Sequence, residues 1–346
     1  MKNKALVLVG EEKLEVQDWD MLQPKDNEVR IKIKACSICG SDLGAYRHPT
    51  ERFQPPLVLG HEFSGVIDAL GSKVTQFKVG QRVTCCPILY CEECYYCKRG
   101  DINLCSHRRS VGTAIGGTQT HGAMEEYMLI RQENVIPLRD ELSFEEGAML
   151  EPSAVCLAAA KRGHTADEEN VHVMGVGPIG LLIVKFLKSL GVKNVMVSDI
   201  LPARLEKAKA CGANLAFNVK ECDPVVEVKK ATGGVGADRV IIAAGVGPAI
   251  KQAFDMVHNG GTVSLVALMH EKVEFDPMEL VGRGINFTGS YMFTGEMKEA
   301  MDLIASGKMS VKDLITSSFP LERGQEAFKA LIAPGNNEIK VQIVIN

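Results

Sequence analysis

The sequence predicts an α/β protein in two parts, a β-rich first half and a second half built on a doubly wound parallel sheet. Three observations carry this. The chain has 346 residues, more than one ordinary core at about 100–200 residues per domain. Up to residue 150 its apolar residues alternate in short, often interrupted runs, the pattern of half-buried strands. From residue 154 the pattern becomes apolar strand, glycine turn and amphipathic helix, repeated several times.

The elements follow in order. Val29-Arg30-Ile31-Lys32-Ile33-Lys34 alternates strictly, and Leu57 to Gly60, Phe63 to Ile67 and Arg82 to Thr84 read as further short strands. In the second half Val171 to Met174, Val195 to Ser198, Val240 to Ala243 and Thr262 to Val266 are apolar strands separated by helical segments, which implies βαβ units and a parallel sheet. Ile285 to Tyr291 is expected to be its last strand. A helix around Glu296 to Ile304 and a terminal run from Lys340 to Ile345 complete the chain, with the tail returning to the first domain. The expected division is 1–153, 154–291 and 292–346.

Composition narrows the function classes. With 46% hydrophobic and 24% charged residues the chain is an ordinary globular protein, not a disordered, collagenous or coiled-coil one. Its 39 basic and 43 acidic residues give a net charge of -4, with no basic block able to follow a phosphate backbone, so nucleic acid is not an expected partner. No run approaches the roughly 18 apolar residues of a membrane span. Glu11, Glu12 and Lys13 interrupt any secretory segment, and a cytoplasmic location is expected. Eleven cysteines, an odd number at uneven spacing, point to metal binding before disulfides.

Cys91, Cys94, Cys97 and Cys105 form a C-x2-C-x2-C-x7-C pattern. Four thiolates in one loop can close a tetrahedral shell around Zn²⁺, leaving no position for substrate; an iron–sulfur cluster uses the same ligands. A second constellation is more dispersed. Cys39 lies in Cys36-Ser37-Ile38-Cys39-Gly40-Ser41-Asp42, His61 and Glu62 follow Gly60, and Glu151 precedes Pro152. Cys39, His61 and one or both glutamates would make the mixed sulfur, nitrogen and oxygen shell expected where zinc keeps a position open. Proline restricts its predecessor to extended geometry, so Glu151 is expected on a stiff extended segment. Cys85, Cys86, Cys156, Cys211 and Cys222 have no ligand-like spacing and are expected to be buried.

Gly175-Val176-Gly177-Pro178-Ile179-Gly180 follows a strand, opens an apolar helix and precedes Asp199 at the end of the next strand. That context makes it a dinucleotide fingerprint. Gly175 permits the tight turn, Gly177 lets the backbone approach a pyrophosphate, and Gly180 lets helix and strand pack closely; Pro178 and Ile179 begin the helix whose N-terminus favours phosphate. Asp199 should accept the ribose hydroxyls and repel a 2′-phosphate, favouring NAD over NADP. Arg204, one turn on, is the opposing signal. The later turn Gly245-Val246-Gly247-Pro248 lacks a third glycine and reads as an ordinary strand-to-helix connection.

Taken together, Cys39 to Asp42, Gly60 to Glu62, the four-cysteine lobe and Glu151-Pro152 occur in the order and spacing of zinc-dependent medium-chain dehydrogenases, and nearly the whole chain resembles that family. Glutamate at 151 is similar to the polyol branch, which includes sorbitol and galactitol-1-phosphate dehydrogenases. The resemblance implies a GroES-like β domain carrying two zinc ions, a Rossmann domain carrying NAD, and self-association as a homodimer or homotetramer. It places Cys39, His61 and Glu151 at the catalytic zinc with Glu62 as neighbouring ligand or exchange partner, and the four cysteines at a structural zinc. Where several relatives have a proton-relaying histidine this chain has Gly44, so the proton is expected to leave through Ser41 and water, or through Tyr46 or His48. The implied reaction oxidises a secondary hydroxyl of a sugar alcohol or its phosphate, with Arg47 or Arg52 available to a phosphate. The alternatives are a dehydrogenase for 2,3-butanediol or threonine, or a non-catalytic NAD-responsive zinc protein.

Overall fold

The computed structural model describes residues 2–163, 169–269 and 272–346, and the chain forms two compact units, Met1–Pro152 with Met297–Asn346 and Ser153–Glu296. In the first unit a mixed sheet runs in the order Val135–Pro137, Arg82–Cys85, Glu62–Leu70, Glu28–Ser37, Lys340–Val344 and Ile315–Pro320, with Tyr127–Arg131 also paired to Glu28–Ser37. The alternation read in Val29 to Lys34 is real: Val29, Ile31 and Ile33 are fully buried while Arg30, Lys32 and Lys34 are not. A hairpin of Lys2–Gly10 and Lys13–Asp20, which the sequence reading passed over, pairs with Leu57–Val58 and adds Leu6 and Leu8 to the same core.

Register decides what meets at one end of this sheet. Ser37 pairs with Glu62 on one side and with Gln342 on the other. The Ile38 amide donates to the Val341 carbonyl at 2.9 Å. Strand Glu28–Ser37 therefore ends, just before Cys39, where Glu62–Leu70 and Lys340–Val344 begin. Gln342 Nε2 also donates to Ser37 Oγ at 3.0 Å and to the Glu145 carbonyl at 2.9 Å, which draws in the short helix Phe144–Ala148 and the chain leading to Glu151.

The second unit is a six-stranded parallel sheet in the order Leu215–Asn218, Asn194–Asp199, Asn170–Met174, Ala237–Ile242, Val257–Leu265 and Asn286–Gly289. Strand order reverses between Asn170–Met174 and Ala237–Ile242. In such sheets ligands bind beyond the carboxyl ends of the strands at this switch. Helices Pro178–Ser189, Pro202–Ala210, Pro224–Ala231, Pro248–Met256 and Pro277–Arg283 each begin with proline, whose fixed φ suits the first turn and whose missing N–H would have no acceptor there.

Candidate active site

Helix Gly40–Arg47 starts directly after Cys39. Its third residue, Asp42, is wholly buried and accepts hydrogen bonds from the backbone amides of Cys39 at 3.0 Å and Gly60 at 3.2 Å. One carboxylate thus ties the turn carrying Cys39 to the turn carrying His61. Gly60 has φ +93°, and a β-carbon there would lie 2.6 Å from Cys36 Sγ, so only glycine lets the chain pass. A ligand atom from each of Cys39, His61 and Glu62 lies within 4.8 Å of the others. His61 Nδ1 is buried without a hydrogen-bond partner, 3.7 Å from Asp42 Oδ1.

Electrostatics at this cluster are mutual. Burial pushes the Asp42 carboxyl up, against the pull of His61 and the two amides. Burial opposes charge on His61, but Asp42, Cys39 and Glu151 outweigh it and hold the imidazole well above its usual range. Burial, reinforced by Glu62, raises the Glu151 carboxyl, which His61 and Lys340 pull down. Lys340 Nζ donates to both oxygens of Glu62, at 2.8 and 3.0 Å, with both side chains buried. Desolvation works against that ammonium, yet Glu62, Cys39 and Glu151 keep it charged. The sequence reading missed Asp42 and Lys340. Asp42 was visible as the acid three residues into a helix; nothing local marks Lys340.

Several expectations change. Glu151 is not on an extended segment: it lies in the first turn of helix Leu150–Lys161 and is buried. The proline after it is tolerated because first-turn amides have no intrahelical acceptor to lose. Tyr46 is buried against Phe328, with its hydroxyl accepting from Gln325 Nε2 at 2.7 Å, and exposed His48 faces Glu11 at 3.3 Å. Both are engaged elsewhere, leaving half-buried Ser41, two residues from Cys39, as the remaining hydroxyl. Arg47 and Arg52 are exposed, with the Arg52 guanidinium 5.6 Å over the Phe53 ring. Cys85, Cys86, Cys156 and Cys211 are buried, whereas Cys222 is only half-buried, its thiol donating to the Asn218 carbonyl at 3.5 Å.

The four-cysteine lobe suits a single ion. Sulfur separations are 3.9 Å for Cys91–Cys97, 3.5 Å for Cys94–Cys97 and 3.6 Å for Cys91–Cys105. Four sulfurs at 2.3 Å from one zinc stand about 3.8 Å apart, whereas a cluster of several irons would spread them further. Backbone amides of Cys91 and His107 donate to Cys105 Sγ, each at 3.4 Å, as they would to a thiolate. The Cys39, His61 and Glu62 atoms suit an ion on chemical grounds as well, with a sulfur, a buried imidazole whose Nδ1 is unpartnered and a carboxylate converging.

In the second unit the three glycines differ as their roles require. Gly175 has φ +84°, and a β-carbon on Gly180 would lie 2.0 Å from the Gly175 carbonyl oxygen. A β-carbon on Gly177 would meet only Arg204 Nη1, at 3.8 Å, so the space at the helix N-terminus is open. Asp199 accepts from the amides of Val176 at 2.8 Å through one oxygen and of Ile200 at 2.7 Å and Leu201 at 3.0 Å through the other. It fixes the glycine turn and keeps a negative charge beside it. An open cradle of amides next to an acid fits a dinucleotide.

Comparison with known proteins agrees. Residues 25–140 match the alcohol dehydrogenase GroES-like domain and residues 178–306 the zinc-binding dehydrogenase model. The chain is 35% identical to the D-arabitol-phosphate dehydrogenase of Enterococcus avium, covering 100% of this chain and 98% of that protein. It is 33% identical to the sorbitol dehydrogenase of Bacillus subtilis, over 99% of this chain and 97% of the relative. The crystal structure of galactitol-1-phosphate dehydrogenase from Escherichia coli superposes with a TM-score of 0.90 at 28% identity, covering 99% of each chain.

Proposed function

We propose, for a chain that belongs to the zinc-dependent medium-chain alcohol dehydrogenase family, that it oxidises a secondary hydroxyl of a sugar alcohol or sugar-alcohol phosphate to the ketone, with NAD as acceptor. The observation that carries this reading is the convergence of Cys39, His61 and Glu62 beside buried Glu151, an oxygen-rich shell with one thiol. Zinc bound there supplies a Lewis acid for the substrate hydroxyl, and the dinucleotide supplies the hydride acceptor. The protein's own residues do the rest. Cys39, His61 and Glu62 hold the metal, and Asp42 fixes the two turns that carry them. Glu151, its carboxyl raised by burial, and Ser41 offer hydrogen bonds to the reacting hydroxyl and its neighbour. A vicinal diol uses both, and a simple alcohol does not. Cys91, Cys94, Cys97 and Cys105 hold a second, structural zinc.

Support for NAD comes from Asp199, an acid at the end of its strand that anchors the glycine turn, where a negative charge disfavours the 2′-phosphate of NADP. The relatives named for arabitol phosphate, sorbitol and galactitol 1-phosphate support the polyol class. Exposed Leu268, Met278 and Val281, with Phe275 packed on Phe287 of the edge strand, support self-association as a homodimer or homotetramer. Among the described residues no helix is long and apolar enough to cross a membrane. Thiolate ligands need a reducing compartment, and the cytoplasm provides one. The test compares kcat/KM, followed as NADH formation, for pentitols and hexitols, their phosphates, 2,3-butanediol, threonine and ethanol. A polyol or its phosphate should lead by at least about tenfold, roughly the 1.4 kcal/mol of one extra hydrogen bond. Preference for ethanol or threonine, or no turnover at all, would overturn the reading.

A further inference from the structure

Four buried side chains of the first unit's sheet share one target. Ser37, Ser64, Thr84 and Gln342, each 1% exposed or less, stand on four adjacent strands, Glu28–Ser37, Glu62–Leu70, Arg82–Cys85 and Lys340–Val344. All four reach backbone carbonyls of the short helix Phe144–Ala148. Ser64 Oγ donates to Phe144 at 2.5 Å, Gln342 Nε2 to Glu145 at 2.9 Å and Thr84 Oγ1 to Gly147 at 3.2 Å, and Ser37 Oγ stands 3.5 Å from the Ala148 carbonyl. The last carbonyls of a helix have no donor within it, and in a helix this short nearly all are last. Side chains of the sheet supply the missing donors, so polar contacts as well as apolar packing seat the helix.

We infer that Gln342 is a positioning residue that fixes Glu151 relative to the turn carrying Cys39. The inference rests on the reading of Glu151 as a hydrogen-bonding partner of the substrate. Gln342 differs from Ser64 and Thr84 in gripping two segments at once. Its Nε2 also donates to Ser37 Oγ at 3.0 Å, and Ser37 ends its strand two residues before Cys39. On the other side Met149 alone separates the seated helix from Leu150–Lys161, whose second residue is Glu151. A displacement at Ala148 is therefore felt three residues on. The Glu145 carbonyl can only accept, which sets the amide of Gln342 this way round. Its Oε1 is then buried without a hydrogen-bond partner, a cost that an apolar side chain of the same length would not carry. Stability by itself does not call for an amide here. What the amide adds is direction, because two N–H donors at a fixed angle hold the hydroxyl of Ser37 and the carbonyl of Glu145 in one geometry.

The test separates position from stability. Gln342→Met keeps the length of the side chain and removes both donors. Amide hydrogen exchange across 144–161 should quicken by at least about tenfold as the seat loosens. The kcat/KM for the best polyol should also fall by at least about tenfold, since a misplacement of about 1 Å costs on the order of a hundredfold. With 2-propanol, which lacks the neighbouring hydroxyl, the loss should be much smaller, and the KM for NAD should hold. Ser37→Ala should reproduce part of the polyol loss, and added to Gln342→Met it should lower the polyol to 2-propanol ratio no further, as for members of one network. Tyr46→Phe, which removes a hydrogen bond with Gln325 away from this helix, should leave that ratio at its wild-type value. If Gln342→Met fails to fold, Gln342→Asn, one methylene too short to reach both partners, carries the same measurements. Wild-type exchange across 144–161, or an unaltered polyol to 2-propanol ratio, would overturn the proposal whatever the melting temperature does. A wild-type chain that turns over no polyol would instead overturn the functional reading beneath it, and the exchange rates, which need no turnover, then decide the role of Gln342.

Discussion

Replacing Asp199 by asparagine separates two roles that one carboxylate performs. In the wild type its oxygens accept three backbone amides, from Val176, Ile200 and Leu201. An asparagine of the same shape has one acceptor oxygen. Facing it to Ile200 and Leu201 keeps two bonds but turns its NH₂ against the Val176 N–H, so the glycine turn loses its anchor. One charge-assisted bond to a buried group is worth about 1.5–3 kcal/mol, and at about 2–4 °C per kcal/mol the melting temperature should fall by roughly 3–12 °C. The cofactor effect is separate. A unit charge about 6 Å from a phosphate of charge near -2 costs about 1.4 kcal/mol even at the dielectric of water, so removing it should narrow the NAD to NADP ratio of kcat/KM by at least about tenfold. The assays are thermal unfolding without cofactor and steady-state kinetics with each dinucleotide. An unchanged cofactor ratio would refute the assignment of Asp199 as the selective group, and an unchanged melting temperature would refute its role in holding the turn.

Three further outcomes are expected. Tyr46→Phe deletes the hydroxyl that Gln325 reaches and should cost about 0.5–1.5 kcal/mol of stability with kcat unaltered; a large fall in kcat would return Tyr46 to the proton path. Gly60→Ala forces a β-carbon onto Cys36 Sγ at a positive φ, and should destabilise by about 1–3 kcal/mol with loss of metal from the Cys39 site, read by metal analysis and calorimetry. Burial pushes the Glu125 carboxyl up to about 8, against a hydrogen bond from Asn3. Between the ordinary carboxylate range and that value the folded chain binds more protons than the unfolded one, so this group lowers stability as pH rises through the window. Glu125→Gln should remove that slope from melting temperatures measured between pH 5 and 9, and an identical pH profile would count against it.

The parts of the site that spacing alone makes legible are those whose partners lie within one turn or loop, whereas Cys39, His61, Glu62 and Glu151 were grouped through the family resemblance. Cys91 to Cys105 span fifteen residues, so spacing alone predicts convergence, and their sulfurs do lie 3.5–3.9 Å apart. The glycine turn was equally readable, because a strand, a helix start and an acid at the next strand end are all local signals. Glu151 was misjudged because the bias of a pre-proline residue toward extended geometry is a steric preference and not a prohibition, and only the helix boundary shows that Pro152 falls in a first turn, where its missing N–H loses no intrahelical bond. Tyr46 and His48 were candidates by proximity in sequence, but Tyr46 belongs to a core completed by Phe328 and Gln325.

By itself the sequence determined the two-part α/β architecture, the four-thiol lobe and the dinucleotide turn, since each rests on periodicity or on groups joined by a few bonds of backbone. Tertiary structure decided which groups face one another across the sheet. That Glu62 is held by Lys340 follows from strand register, and that Asp42 ties Cys39 to Gly60 follows from where that register ends the strands. Register is set by the packing of Val29, Ile31, Ile33, Val341 and Ile343 into one core, and a slip of one residue would turn every side chain of a strand to the other face. Pairings across hundreds of residues are therefore consequences of burying the whole sheet, and no local pattern encodes them.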